Sequence, residues 1–260
     1  MALALESAKA KLTRAEETAG TLVAEVDAFV RANPNPYRVT GELRNGNREY
    51  VFTAFGELDI PIRFSVLVGE VMYQLRTALD HVLAALVVAN GNVPSDRHQF
   101  PICSAPEKFA EASKRGDIAG VSTTASKLIE LFQPYQADHP APRLLDLLRE
   151  WNNADKHRLL VVVGGAAAIG NELRIQEVDS NFSIAGLSPP HIKRVTNSGA
   201  DIFTIFLGEP HSKFVATAKF QTHVAVENVG HVECAGVDEV VTKMIGFVRH
   251  ILSTFENQAT

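Results

Sequence analysis

The first thirty residues alternate apolar and charged positions with a helical period. Residues 3–33 place an apolar side chain at every third or fourth position, with Lys, Arg and Glu between them. This heptad-like spacing predicts a long helix. Its apolar line consists of Leu5, Ala8, Leu12, Ala15, Ala19, Leu22, Val26 and Phe29. The sequence NPNP at 33–36 predicts the end of this helix, because proline cannot continue it.

The next segment, 37–55, has the pattern of a β-hairpin. Asn45-Gly46 separates two runs rich in Val, Thr, Tyr and Phe. Because an Asn-Gly pair accepts the positive φ angles of a type I′ turn, we expect a hairpin here.

A second long helix is predicted from about Arg63 to Asn90. Its apolar line consists of Phe64, Leu67, Val71, Leu75, Leu79, Val82 and Leu86. The opposite side carries a polar group made of Tyr73, Arg76, Thr77, Asp80 and His81, continued by Ala84, Val87 and Val88. Apolar residues on both sides predict a helix that is buried on both sides.

The rest of the chain changes from helical to strand periodicity. A short extended segment at 100–103 is followed by predicted helices at 106–115, at 122–133, and from about Pro142 to Leu160 or Val163, where Gly164-Gly165 should end the last one. Strand-like alternation then appears at 172–178, 182–187, 201–208 and 213–227, before an amphipathic C-terminal helix.

This order of elements predicts an α+β fold. We expect a bundle of long helices with an inserted hairpin over residues 1–165. Residues 166–260 should form a small antiparallel sheet and a closing helix, packed with the bundle as one compact unit.

Composition narrows the class of protein. The 260 residues are 46% hydrophobic and 21% charged, enough for one large domain or two small ones. A formal net charge of -5 argues against a protein that coats nucleic acid, so any RNA contact must be focal. Cys103 and Cys234 have neither zinc-ligand nor disulfide-framework spacing.

Targeting signals are not evident in the sequence. The N-terminus lacks a continuous apolar segment, and the longest apolar run, VLAALVVA at 82–89, is shorter than the roughly 18 residues needed to span a bilayer. We expect a cytoplasmic protein without a membrane partner.

Polar residues interrupt the leucine line of the helix that begins near Pro142. Asn152 and Asp155 lie on that line, and a buried carboxylate needs a donor. Arg76 is the expected donor, bridging Asp80 in its own helix and Asp155 across the interface. Such a network is either a structural lock between two helices or part of a reaction site, with Asn152 directed at Tyr73 or His81.

The spacing of Arg76 and His81, Arg-x4-His, resembles the motif of HEPN-domain ribonucleases. The resemblance covers the helical half and implies metal-independent RNA cleavage at a site formed in a homodimer. It implies that His81 acts as base on a ribose 2′-hydroxyl or as acid toward the leaving oxygen, and that Arg76 holds the scissile phosphate. Asp80, Asn152, Asp155 and Tyr73 would then orient the reacting pair.

Two basic groups are candidate RNA contacts. One comprises Lys156, His157 and Arg158, which could equally be a solvated helix end. The other comprises Arg44 and Arg48 in the hairpin, which could equally be a charged strand edge. Asp80, His81, Asp155 and His157 lack a recognised metal-ligand spacing, so no metal or other cofactor is expected.

The residues therefore favour a HEPN-like endoribonuclease, serving in stress or phage defence, with RNA as a partner. The alternative is a non-catalytic homodimeric scaffold in which the Arg76, Asp80 and Asp155 cluster is structural.

Overall fold

The computed structural model describes residues 5–136, 142–155, 160, 162–168, 173–179, 182–189, 191–229 and 232–258. The helices are α1 (Glu6–Ala32), α2 (Ile62–Ala89), α3 (Pro106–Arg115), α4 (Thr123–Leu131), α5 (Pro142–Asp155) and α6 (Val237–Gln258). The strands are β1 (Arg38–Arg44), β2 (Glu49–Phe55), β3 (Val162–Ala168), β4 (Arg174–Val178), β5 (Ile184–Leu187), β6 (Lys193–Arg194), β7 (Ala200–Leu207), β8 (Phe214–Thr217), β9 (Phe220–Val229) and β10 (Val232–Gly236). The predicted α+β class with a C-terminal helix is confirmed.

The first and last helices pack along each other. Lys9 pairs with Glu256 at 2.5 Å and Glu16 pairs with Arg249 at 2.8 Å, so α1 and α6 run antiparallel. The predicted apolar line of α1 is buried from Leu5 to Val26. Helix α6 is amphipathic, as predicted, and its buried face includes Val237, Val241, Met244, Phe247, Val248, Ile251 and Phe255.

Helix α2 lies largely within the helical core. Its leucine line is buried, as are Ala78, Leu83 and Val87, so burial extends well around the helix. By length and composition α2 could cross a membrane, since an 18-residue window has a mean hydropathy of 1.3, but half of that window is buried within the protein. Such burial is consistent with a core helix of a soluble protein.

The end of α5 differs from the prediction. Val162 and Val163 begin β3, so the helix cannot reach Val163, and Gly164-Gly165 lies within a strand instead of ending a helix. A side chain at Gly164 would overlap the Tyr37 hydroxyl and Leu58. The glycine therefore permits close packing, a role that helical periodicity alone does not reveal.

The strands form three antiparallel sheets within the described residues. Two have four strands, in the orders β1-β2-β7-β5 and β10-β9-β3-β6, and the third pairs β4 with β8. The predicted strand at 213–227 is broken at Ala218-Lys219, so β8 and β9 lie in different sheets. Burial alternates in β8, where Phe214 and Ala216 are buried, whereas in β9 the consecutive residues Val224, Ala225 and Val226 are all buried.

The predicted hairpin is present, with a longer turn. Arg44 pairs with Glu49, which leaves a four-residue loop in place of the two-residue turn. Asn45, Gly46 and Asn47 have φ values of 51°, 66° and 63°. The Asn-Gly signal therefore identified the positive φ angles but not the loop length.

The chain divides into two compact units, and the division does not follow the sequence halves 1–165 and 166–260. The helical unit comprises residues 1–23, 63–160 and 238–260, and the β unit comprises residues 24–62 and 161–237. The hairpin belongs to the β unit because β2 pairs with β7, and the C-terminal helix belongs to the helical unit because α6 packs on α1.

Candidate functional site

Arg76 and Asp80 connect α2 to the segment at 99–103 by hydrogen bonds, and we call this pair the bracket. Arg76 Nη2 donates to Asp80 Oδ1 at 2.9 Å, and the same oxygen accepts the Phe100 backbone N–H at 2.8 Å. Burial lowers the pKa of Arg76, while the charge of Asp80 raises it. The guanidinium remains charged near neutral pH, because arginine titrates far above that range.

Beside this bracket lies a cavity of about 220 Å³, which we call the arginine cleft. Its lining residues are Arg76, Gln99, Phe100, Pro101, Ile102, Cys103, Ala112, Arg115, Asp117, Arg149, Asn152 and Asn153. Among the described residues, three arginines therefore line one cavity, together with amide side chains and a single carboxylate. All of these residues belong to the helical unit.

The end of α3 brings Arg115 and Asp117 to the cleft. Gly116 has a φ of 96° and caps the helix in the left-handed conformation, which turns the chain back at once. Asp117 then binds Arg115 through Nε at 3.0 Å and through Nη2 at 2.5 Å. These contacts raise the pKa of Arg115.

Arg149 enters from α5. Its Nε and Nη2 both donate to Asp146 Oδ1, at 3.0 and 2.6 Å. Arg149 and Asn152, three positions apart on α5, both line the cleft. Asn152 is only 7% exposed. Asn152 reaches the same cleft as Arg76, whereas neither Tyr73 nor His81 lines it.

A buried glutamine holds the wall formed by residues 99–103. Gln133 is fully buried; its Oε1 accepts the Cys103 N–H at 2.8 Å, and its Nε2 donates to the carbonyls of Pro101 and Ile129 at 2.9 Å each. Burial raises the pKa of the Cys103 thiol. The wall is therefore rigid and its thiol is protonated near neutral pH.

Asp155 lies away from Arg76, contrary to the expected bridge. It lines a second cavity of about 430 Å³ together with Tyr73, Arg14 and Gly69. Among the described residues Asp155 makes no ion pair, and burial raises the pKa of its carboxyl group. Gly69 allows the contact, because a Cβ there would overlap the Asp155 carboxylate. The two inward polar residues of α5 therefore serve different cavities.

His81 is partly exposed on α2 and lines neither of these cavities. Five helical positions separate it from Arg76, which places the two side chains roughly 140° apart around the helix. One substrate can contact both residues only if it lies across α2, or if a second copy of the chain contributes one of them.

The hairpin arginines are engaged within the β unit. Arg44 pairs with Glu42 at 2.6 Å and with Asp201 at 2.7 Å, and Arg48 Nη1 donates to the Gly208 carbonyl at 3.3 Å. Since β1 is the edge of its sheet, these contacts fit a charged strand edge. The basic group Lys156, His157 and Arg158 lies outside the described residues.

Sequence reasoning missed Arg115, Asp117 and Gln99 as site residues. The only local signal was a basic helix end followed by glycine, KRGD at 114–117, which predicts the turn but not its neighbours. Within the described part of the chain, no three His, Cys, Asp or Glu side chains come together as metal ligands.

Comparison with known proteins yields no relative. No family model, no curated protein and no solved structure matches the chain.

Proposed function

We propose that this protein is a HEPN-like, metal-independent endoribonuclease in which Arg76 holds the scissile phosphate. The observation that carries the proposal is the position of Arg76: Asp80 fixes its guanidinium at the wall of a cleft that also contains Arg115 and Arg149. A phosphate-binding site needs this type of positioned, permanently charged donor. The Arg-x4-His resemblance supplies the reaction class. A cytoplasmic location and a role in stress or phage defence belong to the same proposal.

In the proposed reaction, His81 removes the proton from a ribose 2′-hydroxyl. The 2′-oxygen bonds to phosphorus and the P–O5′ bond breaks, while a water molecule gives the leaving 5′-oxygen its proton and the resulting hydroxide takes the proton from His81. The products are a 2′,3′-cyclic phosphate and a 5′-hydroxyl. Arg76 stabilises the charge that develops on the non-bridging oxygens, and Asp80 orients Arg76.

A homodimer fits the angular separation of Arg76 and His81. The exposed side of α2 carries Val66, Tyr73 and Val88, whose exposed fractions are 42%, 54% and 48%. A second copy packed on this side would cover apolar surface and bring its own histidine near the first copy's helix.

The test is cleavage of a fluorescent single-stranded RNA by purified protein in the presence of EDTA. We expect His81→Ala to abolish cleavage with no change in thermal unfolding. The matched control is His191→Ala, which removes an exposed histidine of the β unit and should cut like the wild type. Absence of wild-type cleavage, full activity of His81→Ala, or loss of activity with EDTA each refutes the proposal.

A second candidate, a homodimeric scaffold, is favoured by one observation. Asp80 joins Arg76 to the Phe100 backbone, which is sufficient reason for both side chains to be present. If the protein is a scaffold, we expect light scattering to show that Tyr73→Glu converts the dimer to a monomer, and we expect the wild type not to cut RNA. If it is the ribonuclease, the same substitution should lower both dimerisation and RNA cleavage.

A further inference from the structure

We propose that the arginine cleft is a binding site for a terminal phosphate, the phosphomonoester group carried by nucleotides and by RNA ends. The inference goes beyond the proposed function. The proposed reaction places an internal phosphodiester at Arg76, whereas here Arg76, Arg115 and Arg149 together bind the phosphomonoester of a nucleotide or of an RNA end. The inference is carried by three features of the cleft: its charge, its unused donors and its size.

The charge of the lining favours an anion. Arg76, Arg115 and Arg149 line the cavity, and among the described residues Asp117 is the only carboxylate in the lining. Asp80 pairs with Arg76, while Asp146 and Glu150 pair with Arg149, without lining the cleft themselves. These carboxylates offset part of the positive charge, but the groups that line the described part of the cavity are mainly guanidiniums, which favours an anionic ligand.

Each of the three arginines has donors to spare. Arg76 donates to a carboxylate through Nη2 alone. Arg115 and Arg149 each donate to a carboxylate through both Nε and Nη2. In the described part of the chain, Nη1 of each guanidinium has no hydrogen-bond acceptor. Three backbone donors of the wall are already used, since Gln99 N–H binds the Asp117 carbonyl, Phe100 N–H binds Asp80 and Cys103 N–H binds Gln133. The ligand must therefore supply several acceptor oxygens to side-chain donors.

The size and geometry of the cleft favour a compact head group. Its volume of about 220 Å³ is below the roughly 300–1,000 Å³ of pockets that enclose whole drug-sized ligands. The donors come from three separate helices, namely α2, the end of α3, and α5. A terminal phosphate offers three equivalent oxygens and a charge of about −1.5 to −2 at pH 7, whereas a carboxylate offers two oxygens and one charge.

The donors are held in place before any ligand binds. Asp80 fixes Arg76, Asp117 grips Arg115 through two nitrogens, and Asp146 does the same for Arg149. Arg76 is the most buried of the three, since its side chain is 16% exposed against 38% for Arg149 and 67% for Arg115. A buried, ordered side chain loses little conformational entropy on binding, which favours affinity. The carboxylates also offset part of the attraction, so removal of Asp117 should strengthen it.

Titration with uridine 5′-monophosphate, and with uridine as the matched control, tests the site. Calorimetry measures the affinity, and the chain's single tryptophan, Trp151 beside Asn152, gives a fluorescence signal. We expect uridine 5′-monophosphate to bind and uridine not to bind. Arg149→Gln and Arg115→Gln should each weaken binding by about tenfold or more, and Asp117→Asn should tighten it.

The control for general charge loss is Arg249→Gln. Arg249 lies in the same unit, pairs with Glu16 and does not line the cleft. It should bind uridine 5′-monophosphate like the wild type. Equal weakening by Arg249→Gln and Arg149→Gln, or no binding of the monophosphate at millimolar concentration, would overturn the inference.

Oligonucleotides distinguish the two sources of the phosphate. If the cleft recognises RNA ends, a 5′-phosphorylated hexanucleotide displaces uridine 5′-monophosphate at a lower concentration than its 5′-hydroxyl counterpart does. If free nucleotides are the ligands, the 5′-phosphate makes no difference to displacement by the hexanucleotide.

His81→Ala separates this inference from the proposed function, because it should abolish RNA cleavage and leave phosphate binding unchanged. If the wild-type protein binds the monophosphate but does not cut RNA, the inference about the cleft stands and the proposed ribonuclease function is wrong. If it cuts RNA but does not bind the monophosphate, the ribonuclease function stands and the inference about the cleft is wrong.

Discussion

Replacement of Asp80 by alanine should destabilise the helical unit far more than loss of a surface carboxylate does. Asp80 Oδ1 accepts from Arg76 and from the Phe100 N–H, and the Phe100 side chain is fully buried. An unsatisfied buried N–H costs about 1–3 kcal/mol. The ion pair, whose side chains are 16% and 30% exposed, adds roughly 1 kcal/mol after solvent screening. The expected loss is therefore about 2–4 kcal/mol.

Two matched variants test this estimate. Asp80→Asn keeps an oxygen for the Phe100 N–H and should cost about 1 kcal/mol. Asp146→Ala removes a helical ion pair of Arg149 and no backbone contact, so it should cost roughly 0.5 kcal/mol. Urea denaturation followed by Trp151 fluorescence reports on the helical unit. If Asp80→Ala and Asp146→Ala lower the free energy of unfolding equally, the hydrogen bond from the Phe100 N–H to Asp80 does not stabilise the segment at 99–103.

Three further predictions concern packing and pH. Gly69→Ala should lower the unfolding temperature, because its Cβ overlaps the Asp155 carboxylate, and adding Asp155→Ala should restore stability; a Gly69→Ala variant as stable as wild type contradicts the contact. Tyr37→Phe should be neutral or stabilising by up to about 1 kcal/mol, because the Tyr37 hydroxyl is buried without a hydrogen-bond partner in the described structure; a clear loss in thermal unfolding would show a missing partner. Hydrogen bonds from Ser212 and His211 depress the pKa of Asp179, so its contribution is present above about pH 4 and is lost as pH falls. Asp179→Asn should lower the thermal unfolding midpoint at pH 7 and reduce the difference between the midpoints at pH 7 and pH 3. An unchanged difference would show that Asp179 does not cause this pH dependence.

Local periodicity was enough to predict most elements. The apolar lines of α1, α2 and α6 follow the helical repeat, and a helix with such a line can bury it in only one orientation. The hairpin followed from Asn45-Gly46, since few residue pairs accept two positive φ angles. Arg76 and Asp80 were expected to pair because four helical positions bring them together.

Tertiary structure decided which of those residues meet. The expected bridge from Arg76 to Asp155 fails because Asp155 packs at Gly69, nearly two turns away from Arg76 along α2. The strand predicted at 213–227 is interrupted at Ala218-Lys219, so β8 and β9 lie in different sheets although the sequence alternates continuously across the break. Neither feature alters the periodicity of the sequence, and so neither was visible in it.

The arginine cleft shows the same limit. Arg76, Arg115 and Arg149 come from three helices that are distant in the chain, and each looks like an ordinary charged position in its own segment. The sequence by itself determined the helices, the strands and the i,i+4 ion pair, because these depend on neighbours a few residues apart. The meeting of three guanidiniums depends on how the helical unit packs, and only its three-dimensional structure decides that.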